Sequence, residues 1–311
     1  MNTNSNLISV IIPTYNAGLL IEEVIQGVFK QKDVNLKLIV VDDNSSDNSR
    51  EIIEKYPVQL VSLKFNSGPS FARNEGLRFA QSEFIYFLDS DCIIQDKYFL
   101  RKLLNILIDK KVDMIGCANV DAYQNKNEFA FVYFISVWYN FSIYAQEGSR
   151  KILPAYSMLV RKSVFESVGN FSIRFSDDDF MFCTKATSAG FRLYFTSQLA
   201  ILHKHNRTTK EKFLEVMRRN GKNGTLFRLV CKSKIPYGKF FINNKFLFTI
   251  FGPLIISYAS IRVFFKALKN FSSSRVIRTV PLVIYGYLFW FLGLLEGIDE
   301  FNSKKMDQQI T

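Results

Sequence analysis

The sequence predicts an α/β protein built on a mostly parallel sheet, with membrane-associated helices at its C-terminal end. Three observations lead there. Apolar runs of strand length alternate with amphipathic stretches of helix length through residues 8–117, the pattern of right-handed βαβ units. Polar and acidic residues follow the apolar runs directly, where open α/β sheets hold their ligands. Two long and nearly uncharged stretches come last, at 246–261 and 279–298.

Taken in order, residues 8–12 form an apolar run stopped by Pro13. Asn16 is placed to cap a helix in which Leu20, Val24 and Val28 adjoin Ile21, Ile25 and Phe29 at four-residue spacing. Residues 38–41 read as the second strand, and the acidic loop 42–47 offers several caps for a helix ending near Tyr56. Residues 58–63 are the third strand. The turn at 66–69 puts Pro69 in the first turn of a helix that runs to about Ala80. Residues 84–88 are apolar throughout, as in a strand buried on both faces of a parallel sheet. A helix over 98–109 and a strand over 112–117 complete the series. Tyr15, Asp42, Asp43, Asn66, Asp89 and Asp91 all fall at strand ends, so polar groups converge on one edge.

Asp89-Ser90-Asp91 is the centre of that edge. Two carboxylates on a stiff strand tip repel each other, and a hard divalent cation such as Mg²⁺ or Mn²⁺ relieves the repulsion while keeping positions open for phosphate oxygens. The same tripeptide is ordinary turn chemistry; the buried strand before it and the stretches around it decide for a metal–diphosphate site. Neither G-x-x-x-x-G-K-[ST] nor G-x-G-x-x-G occurs, so phosphate is expected to meet carboxylates and metal instead of a glycine cradle.

Composition narrows the partners. The 311 residues carry a formal charge of +12, and 48% are hydrophobic, with 31 Phe and 14 Tyr, which is ample for a large core. The charge points to an anion: nucleic acid, an anionic membrane surface or a phosphorylated substrate. The four cysteines (Cys92, Cys117, Cys183, Cys231) form no C-x-x-C pair, so neither zinc nor a disulfide framework is expected, and a reducing cytoplasm is the simplest setting. Residues 1–6 are polar and lead into a strand, so no signal peptide is expected.

Four stretches carry a resemblance. SVIIPTYN at 9–16, VVDDNSSD at 40–47, NSGPSFARN at 66–74 and FLDSD at 87–91 resemble, in order and spacing, the successive motifs of family-2 glycosyltransferases. The resemblance covers roughly the first two hundred residues. It implies the GT-A (Rossmann-like) fold: a mixed, mostly parallel sheet flanked by helices, here with C-terminal membrane-associated helices. It implies that Pro13 and Tyr15 line the nucleoside base, that Asp42 or Asp43 hydrogen-bonds the base, and that Arg73 reaches base or phosphates. Asp89 and Ser90 would lie on the nucleotide sugar, with Asp89 near ribose and metal and Asp91 as the direct metal ligand.

On the same resemblance, residues 1–118 form the nucleotide-sugar half, 119–225 the acceptor and catalytic half, and 226–311 a basic linker with membrane-associated helices. LPAYSMLVR at 153–161, followed by Phe165 and Gly169-Asn-Phe171, is similar to the stretch before the family's catalytic acid pair. Counting back from Ala189-Gly190 places that pair on Asp178-Asp179, with Asp where the family has Glu; Asp177 leaves the register open by one. Clustered carboxylates raise one another's pKa, which favours a proton acceptor near neutrality. Acidic residues are also common at helix starts.

His203 and His205 flank Lys204, and strand alternation puts both on one face. The resemblance implies that His203 approaches metal or diphosphate; two histidines at this spacing equally suit a surface strand. From Lys204 to Lys245 the chain is basic, suiting a surface held against anionic lipid, and it lacks Gln-x-x-Arg-Trp, the signature of processive polymer synthases. The aromatic stretch 129–144 suits an interfacial helix beside the acceptor cleft or a core helix, and the interface is the preferred reading. Residues 246–261, short and interrupted by Gly252-Pro253, are expected to form an interfacial or re-entrant element that does not cross, and 279–298 are long enough to span, with a second shallow helix as the alternative. The stretch 262–278 has five Lys or Arg and no acid, which favours the cytoplasmic side.

The resulting expectation is an inverting, metal-dependent glycosyltransferase at the cell membrane, with its catalytic domain on the cytoplasmic side. It would use a UDP- or GDP-sugar donor, Mg²⁺ or Mn²⁺, membrane lipids, and a lipid-linked or cell-surface glycan acceptor. One alternative is direct transfer to polyprenyl phosphate, which needs no base. Another is a non-catalytic basic membrane- or nucleic-acid-binding protein. The strand-end carboxylates weigh against that one, and no nucleic-acid partner is expected.

Overall fold

The computed structural model describes residues 7–173, 178–231 and 244–304. Along the chain run β1 (Leu7–Thr14), α1 (Ile21–Phe29), β2 (Asn35–Asp42), α2 (Ser49–Ile53), β3 (Gln59–Ser62), α3 (Pro69–Leu77), β4 (Phe84–Leu88), β5 (Cys92–Ile93), α4 (Phe99–Asp109) and β6 (Met114–Asp121). Then follow α5 (Glu128–Tyr133), β7 (Gly148–Arg150), β8 (Ser157–Arg161), α6 (Lys162–Val168), α7 (Asp178–Ser188), β9 (Leu193–His203), α8 (Lys210–Val230), α9 (Lys245–Ala267) and α10 (Ser273–Lys304). Two compact units result, Met1–Val120 with Phe141–Lys204 and Asp121–Asn140 with His205–Thr311.

The first unit holds a mixed sheet in the order β3-β2-β1-β4-β8-β6-β9-β5, with β7 on β9. Strands β3, β2, β1 and β4 are mutually parallel, as the alternation of strand and helix requires. β8 enters antiparallel between β4 and β6, so the polypeptide returns to the sheet's centre after the sixth strand. All five residues of β4 are buried, which is why the run shows no alternation. α1 presses Ile21, Val24, Ile25 and Val28 inward. α3 packs on β1 and β2, and Gly76 permits the approach: a Cβ there would lie 2.5 Å from the Ile11 side chain.

Asn16 does not cap α1; that helix has no side-chain cap. Asn16 takes the left-handed conformation (φ 47°), and its carboxamide oxygen accepts the Ser46 N–H at 2.8 Å. It ties the end of β1 to the loop after β2, a role Asn fills because it tolerates positive φ.

The second unit is helical. Phe131, Tyr133, Phe134 and Tyr139 are buried in a core with Phe213, Met217, Val263 and Val283. The aromatic stretch is therefore mostly interior, contrary to the interfacial reading. α8 and α10 meet through glycine: a Cβ on Gly293 would lie 1.8 Å from the Arg218 carbonyl oxygen, and one on Gly221 would lie 1.9 Å from that of Trp290. Arg218 pairs with Glu296, Lys222 with Glu300 at 2.5 Å, and Lys245 with Asp299 at 2.5 Å.

Pro253 does not end the helix that contains it, and α9 continues past Arg262 to Ala267. Proline removes one hydrogen bond of the ladder, but Gly252 seats α9 against the Phe291 ring of α10 and the helix runs on. The expected basic loop is largely helical, since only residues 268–272 separate α9 from α10. Both helices are long and apolar enough to cross a membrane.

Candidate active site

At the end of β4 the backbone is held from two sides. Asp89 N–H donates to the Tyr156 carbonyl, and the Cys92 N–H donates back to the Asp89 carbonyl, each at 3.0 Å. β5 then pairs antiparallel with β9, setting Cys92 opposite His203, and Lys204 N–H donates to the Asp91 carbonyl at 2.8 Å. This pairing brings the His203 Nε2 to 3.3 Å from Asp91 Oδ2. The imidazole is almost wholly enclosed, while the Asp91 carboxylate is 32% exposed. The Tyr156 ring stacks on the imidazole at 5.8 Å and fixes its plane.

The neighbouring carboxylate has a different partner. Arg73 Nη2 meets Asp89 Oδ1 at 2.7 Å, and the Arg73 side chain is 6% exposed. The guanidinium also lies over the Phe171 ring, 5.8 Å from its centroid. Arg73 is thus engaged with the strand-end carboxylate. Ser90 is half-buried in the turn between the two acids.

Asp91, Cys92 and His203 present ligand atoms that all lie within 4.8 Å of one another. Burial, with Asp91 and Asp89 adding to it, pushes the Cys92 thiol well above its usual range. The thiol therefore stays protonated at neutral pH, leaving a carboxylate and an imidazole as the donors.

The expected base-binding residues lie along the same edge. Pro13 pairs with Val41, and Thr14 pairs with Asp42 in the β1–β2 register. Tyr15 follows, its ring half-exposed. Asp42 is buried, and its Oδ1 accepts the Ser45 N–H at 3.3 Å. Asp43 spends both oxygens on the chain, accepting the N–H groups of Ser67 and Gly68 at 2.7 Å each. Burial pushes the Asp43 carboxyl up, against those two bonds, which pull it down.

Asp179 stands in the first turn of α7. Its Oδ2 accepts the Ala155 N–H at 2.9 Å and its Oδ1 the Phe180 N–H at 2.8 Å. Ala155 adjoins Tyr156, so the acid is tied to the segment that also holds Asp89 and His203. Asp177 and the Asp178 side chain lie outside the described residues.

The two histidines do not share a partner. His205 belongs to the second unit, where its Nε2 meets Asp121 Oδ2 at 2.5 Å and its Nδ1 accepts the Arg207 N–H at 3.0 Å. That second bond requires an unprotonated Nδ1, so the ring is neutral and donates to Asp121. Tyr156 was missed as a site residue. Its signal was present, an aromatic inside the LPAYSMLVR segment already singled out.

The model of the family "Glycosyl transferase family 2" matches residues 9–169, 161 of the 311 residues. The chain belongs to that family. It is a glycosyltransferase, and the four motifs read from the sequence lie within the matched segment. Its similarity to the O-antigen chain rhamnosyltransferase WbaN of Salmonella anatum is 27% identity over 220 residues, 66% of this chain and 68% of the relative. The UDP-Glc:α-D-GlcNAc-diphosphoundecaprenol β-1,3-glucosyltransferase WfgD of Escherichia coli is 41% identical over 90 residues, 28% of this chain and 36% of the relative. Among solved structures, the mannosyltransferase PcManGT of Pyrobaculum calidifontis, in complex with GDP-Man and Mn²⁺, superposes with a TM-score of 0.60 at 19% identity. It covers 96% of this chain and 87% of that one. The family-2 glycosyltransferase therefore has the GT-A fold.

Proposed function

We propose that this family-2 enzyme is membrane-attached, metal-dependent and inverting. It moves a sugar from a UDP- or GDP-sugar to a lipid-linked or cell-surface glycan acceptor on the cytoplasmic side. The observation that carries the reading is the end of β4, where Arg73 pairs with Asp89 while the partly exposed Asp91 carboxylate lies 3.3 Å from His203. WbaN is named for O-antigen synthesis and WfgD for a diphosphoundecaprenol-linked acceptor, which supports a lipid-linked or surface glycan here.

The donor set fits Mg²⁺ or Mn²⁺, since a carboxylate and an imidazole suit such a cation better than the buried Cys92 thiol does. Asp91 and His203 would hold the ion, with Asp89 beside them. A bound cation would supply positive charge to the departing diphosphate. Pro13 and Tyr15 flank the nucleoside base, and buried Asp42 is the acid on that edge available to it. Asp43 acts by fixing the loop at 66–68.

Asp179 is assigned the acceptor's proton, with Asp178 supporting it. As the proton moves to the carboxylate, the acceptor oxygen bonds to the anomeric carbon from the face opposite the diphosphate. The bond from that carbon to the diphosphate breaks, and the electron pair leaves with the diphosphate. The two backbone N–H groups on Asp179 fix the carboxylate's direction for that attack.

Nucleotide release from a panel of UDP- and GDP-sugars tests the reading. One donor should release nucleotide with Mn²⁺ or Mg²⁺, and EDTA should stop it. Equal release in EDTA would remove the metal from the mechanism.

A further inference from the structure

We infer that the protein docks on one leaflet of an anionic bilayer through the outward face of α9, and that neither α9 nor α10 crosses. The inference rests on the membrane attachment proposed above and narrows it.

α9 turns its apolar side chains outward. Phe246, Ile250, Leu254, Tyr258, Ile261 and Phe265 are all exposed. At 100° per residue they fall on one stripe, while Gly252, Ser260, Val263 and Ala267 form the buried face. From Phe246 to Phe265 the stripe is about 29 Å long at 1.5 Å per residue. Exposed apolar faces of this extent mark a contact with protein or membrane.

Charge selects the bilayer. Residues 245–295 contain no Asp or Glu, and Arg262, Lys269 and Arg278 are exposed around the α9–α10 turn. Cations beside an apolar stripe suit an interface with anionic headgroups. A cavity of about 660 Å³, lined largely by Ile, Val and Phe, lies between α9 and α10 and suits a hydrocarbon chain.

Crossing is excluded by α8. The part of α10 that would occupy the hydrocarbon is packed on α8 through Gly286, Gly293 and Gly297. α8 carries Lys210, Glu211, Lys212, Glu215, Arg218, Arg219, Lys222 and Arg228. Charges at bilayer depth are costly, and the close glycine contacts leave no room for lipid between the helices. α10 therefore stays outside the hydrocarbon with α8. The turn between α9 and α10 is short, so α9 cannot cross without α10 returning through the membrane.

The full-length protein is mixed with phosphatidylcholine vesicles, with or without phosphatidylglycerol, and separated by flotation. It should float only with the anionic vesicles. The double variant Leu254→Glu, Tyr258→Glu should reduce flotation more than tenfold while its thermal transition stays in place. In expressing cells, single cysteines at Asn270 and at Asp299 should both react with an impermeant maleimide in inside-out membrane vesicles. Neither should react in right-side-out vesicles. Reaction at position 270 in right-side-out vesicles would show that the hairpin crosses, overturning the inference and leaving attachment intact. Failure to float on any vesicle would remove attachment itself. A self-associated species that the double variant dissociates, without flotation, would assign the stripe to a second copy and overturn the inference.

Discussion

Two acidic positions of the first unit are held in different ways. Asp89 and Asp91 sit on a turn clamped by backbone bonds from Tyr156 and Lys204, and each faces a dedicated partner, Arg73 or His203. Asp179 sits at a helix start, where a carboxylate is already stabilised by the free N–H groups of the first turn. Like charges on a strand tip repel, and the buried Arg73 on one and the buried His203 beside the other are surroundings that suit a ligand site. A helix-start acid implies none by itself, and its bond to Ala155 beside Tyr156 connects it to the site.

Mutating each position sharpens that contrast. Asp91→Ala is expected to have the largest effect, abolishing metal-dependent nucleotide binding and lowering turnover by about 10³-fold or more, on the scale of losing a principal electrostatic group. Titration of UDP or GDP with and without Mn²⁺ measures it; unchanged metal-dependent affinity would remove Asp91 from the metal. Asp179→Asn keeps the shape and one of the two backbone bonds, since its amide nitrogen cannot accept an N–H. It should leave donor binding intact and lower turnover by about 10²-fold or more. If Asp178→Asn is the inactive variant instead, the register moves by one. Activity in both would favour an acceptor that is already an anion.

Expected next in size is a stability effect in the second unit. Gly293→Ala forces a Cβ against the Arg218 backbone, where nothing flexible can yield, and should destabilise by about 2 kcal/mol or more. Gly224, on the same α8, would meet only the Arg228 guanidinium, at 2.9 Å. Gly224→Ala should be neutral or stabilising by up to about 1 kcal/mol from helix propensity. Denaturant melts of the two variants test whether the α8–α10 contact is as close as described.

The parallel half of the fold was legible because its signals are local: apolar runs, proline stops and acidic strand ends. The antiparallel entry of β8 between β4 and β6 was not, because no local pattern reports which strand returns to the middle of a sheet. The same reason left His203 open between an approach to metal or diphosphate and a surface strand. Its register opposite Cys92 is a long-range pairing, and alternation grouped it with His205, which in fact meets Asp121. Asp43 illustrates a third case. Its motif position suggested ligand binding, while both its oxygens hold the loop at 67–68. In the second unit hydropathy alone suggested a span at 279–298. The glycines that seat α10 on a charged helix become informative only once that helix is in view.

The smallest effect is expected at another carboxylate of the first unit, one that accepts from side chains. Glu147 precedes β7 and accepts from Tyr194 Oη at 2.8 Å, Gln198 Nε2 at 2.9 Å and Thr196 Oγ1 at 3.3 Å, all on β9. Burial pushes its carboxyl up, but the three donors outweigh it and hold the group below its usual range. A depressed folded-state pKa stabilises the fold above the unfolded value, about 4.3, and that contribution is lost as pH falls through the folded value. The group is partly exposed, so solvent screening limits the effect to about 0.5 kcal/mol. Glu147→Gln should therefore be less stable than the parent at pH 7 by that amount, and the gap should close in acid as the parent carboxylate is protonated. Thermal melts of both proteins from pH 7 down to pH 3 measure it. A gap that persists at the acid end would show that β7 is held by the shape of the side chain and not by its charge.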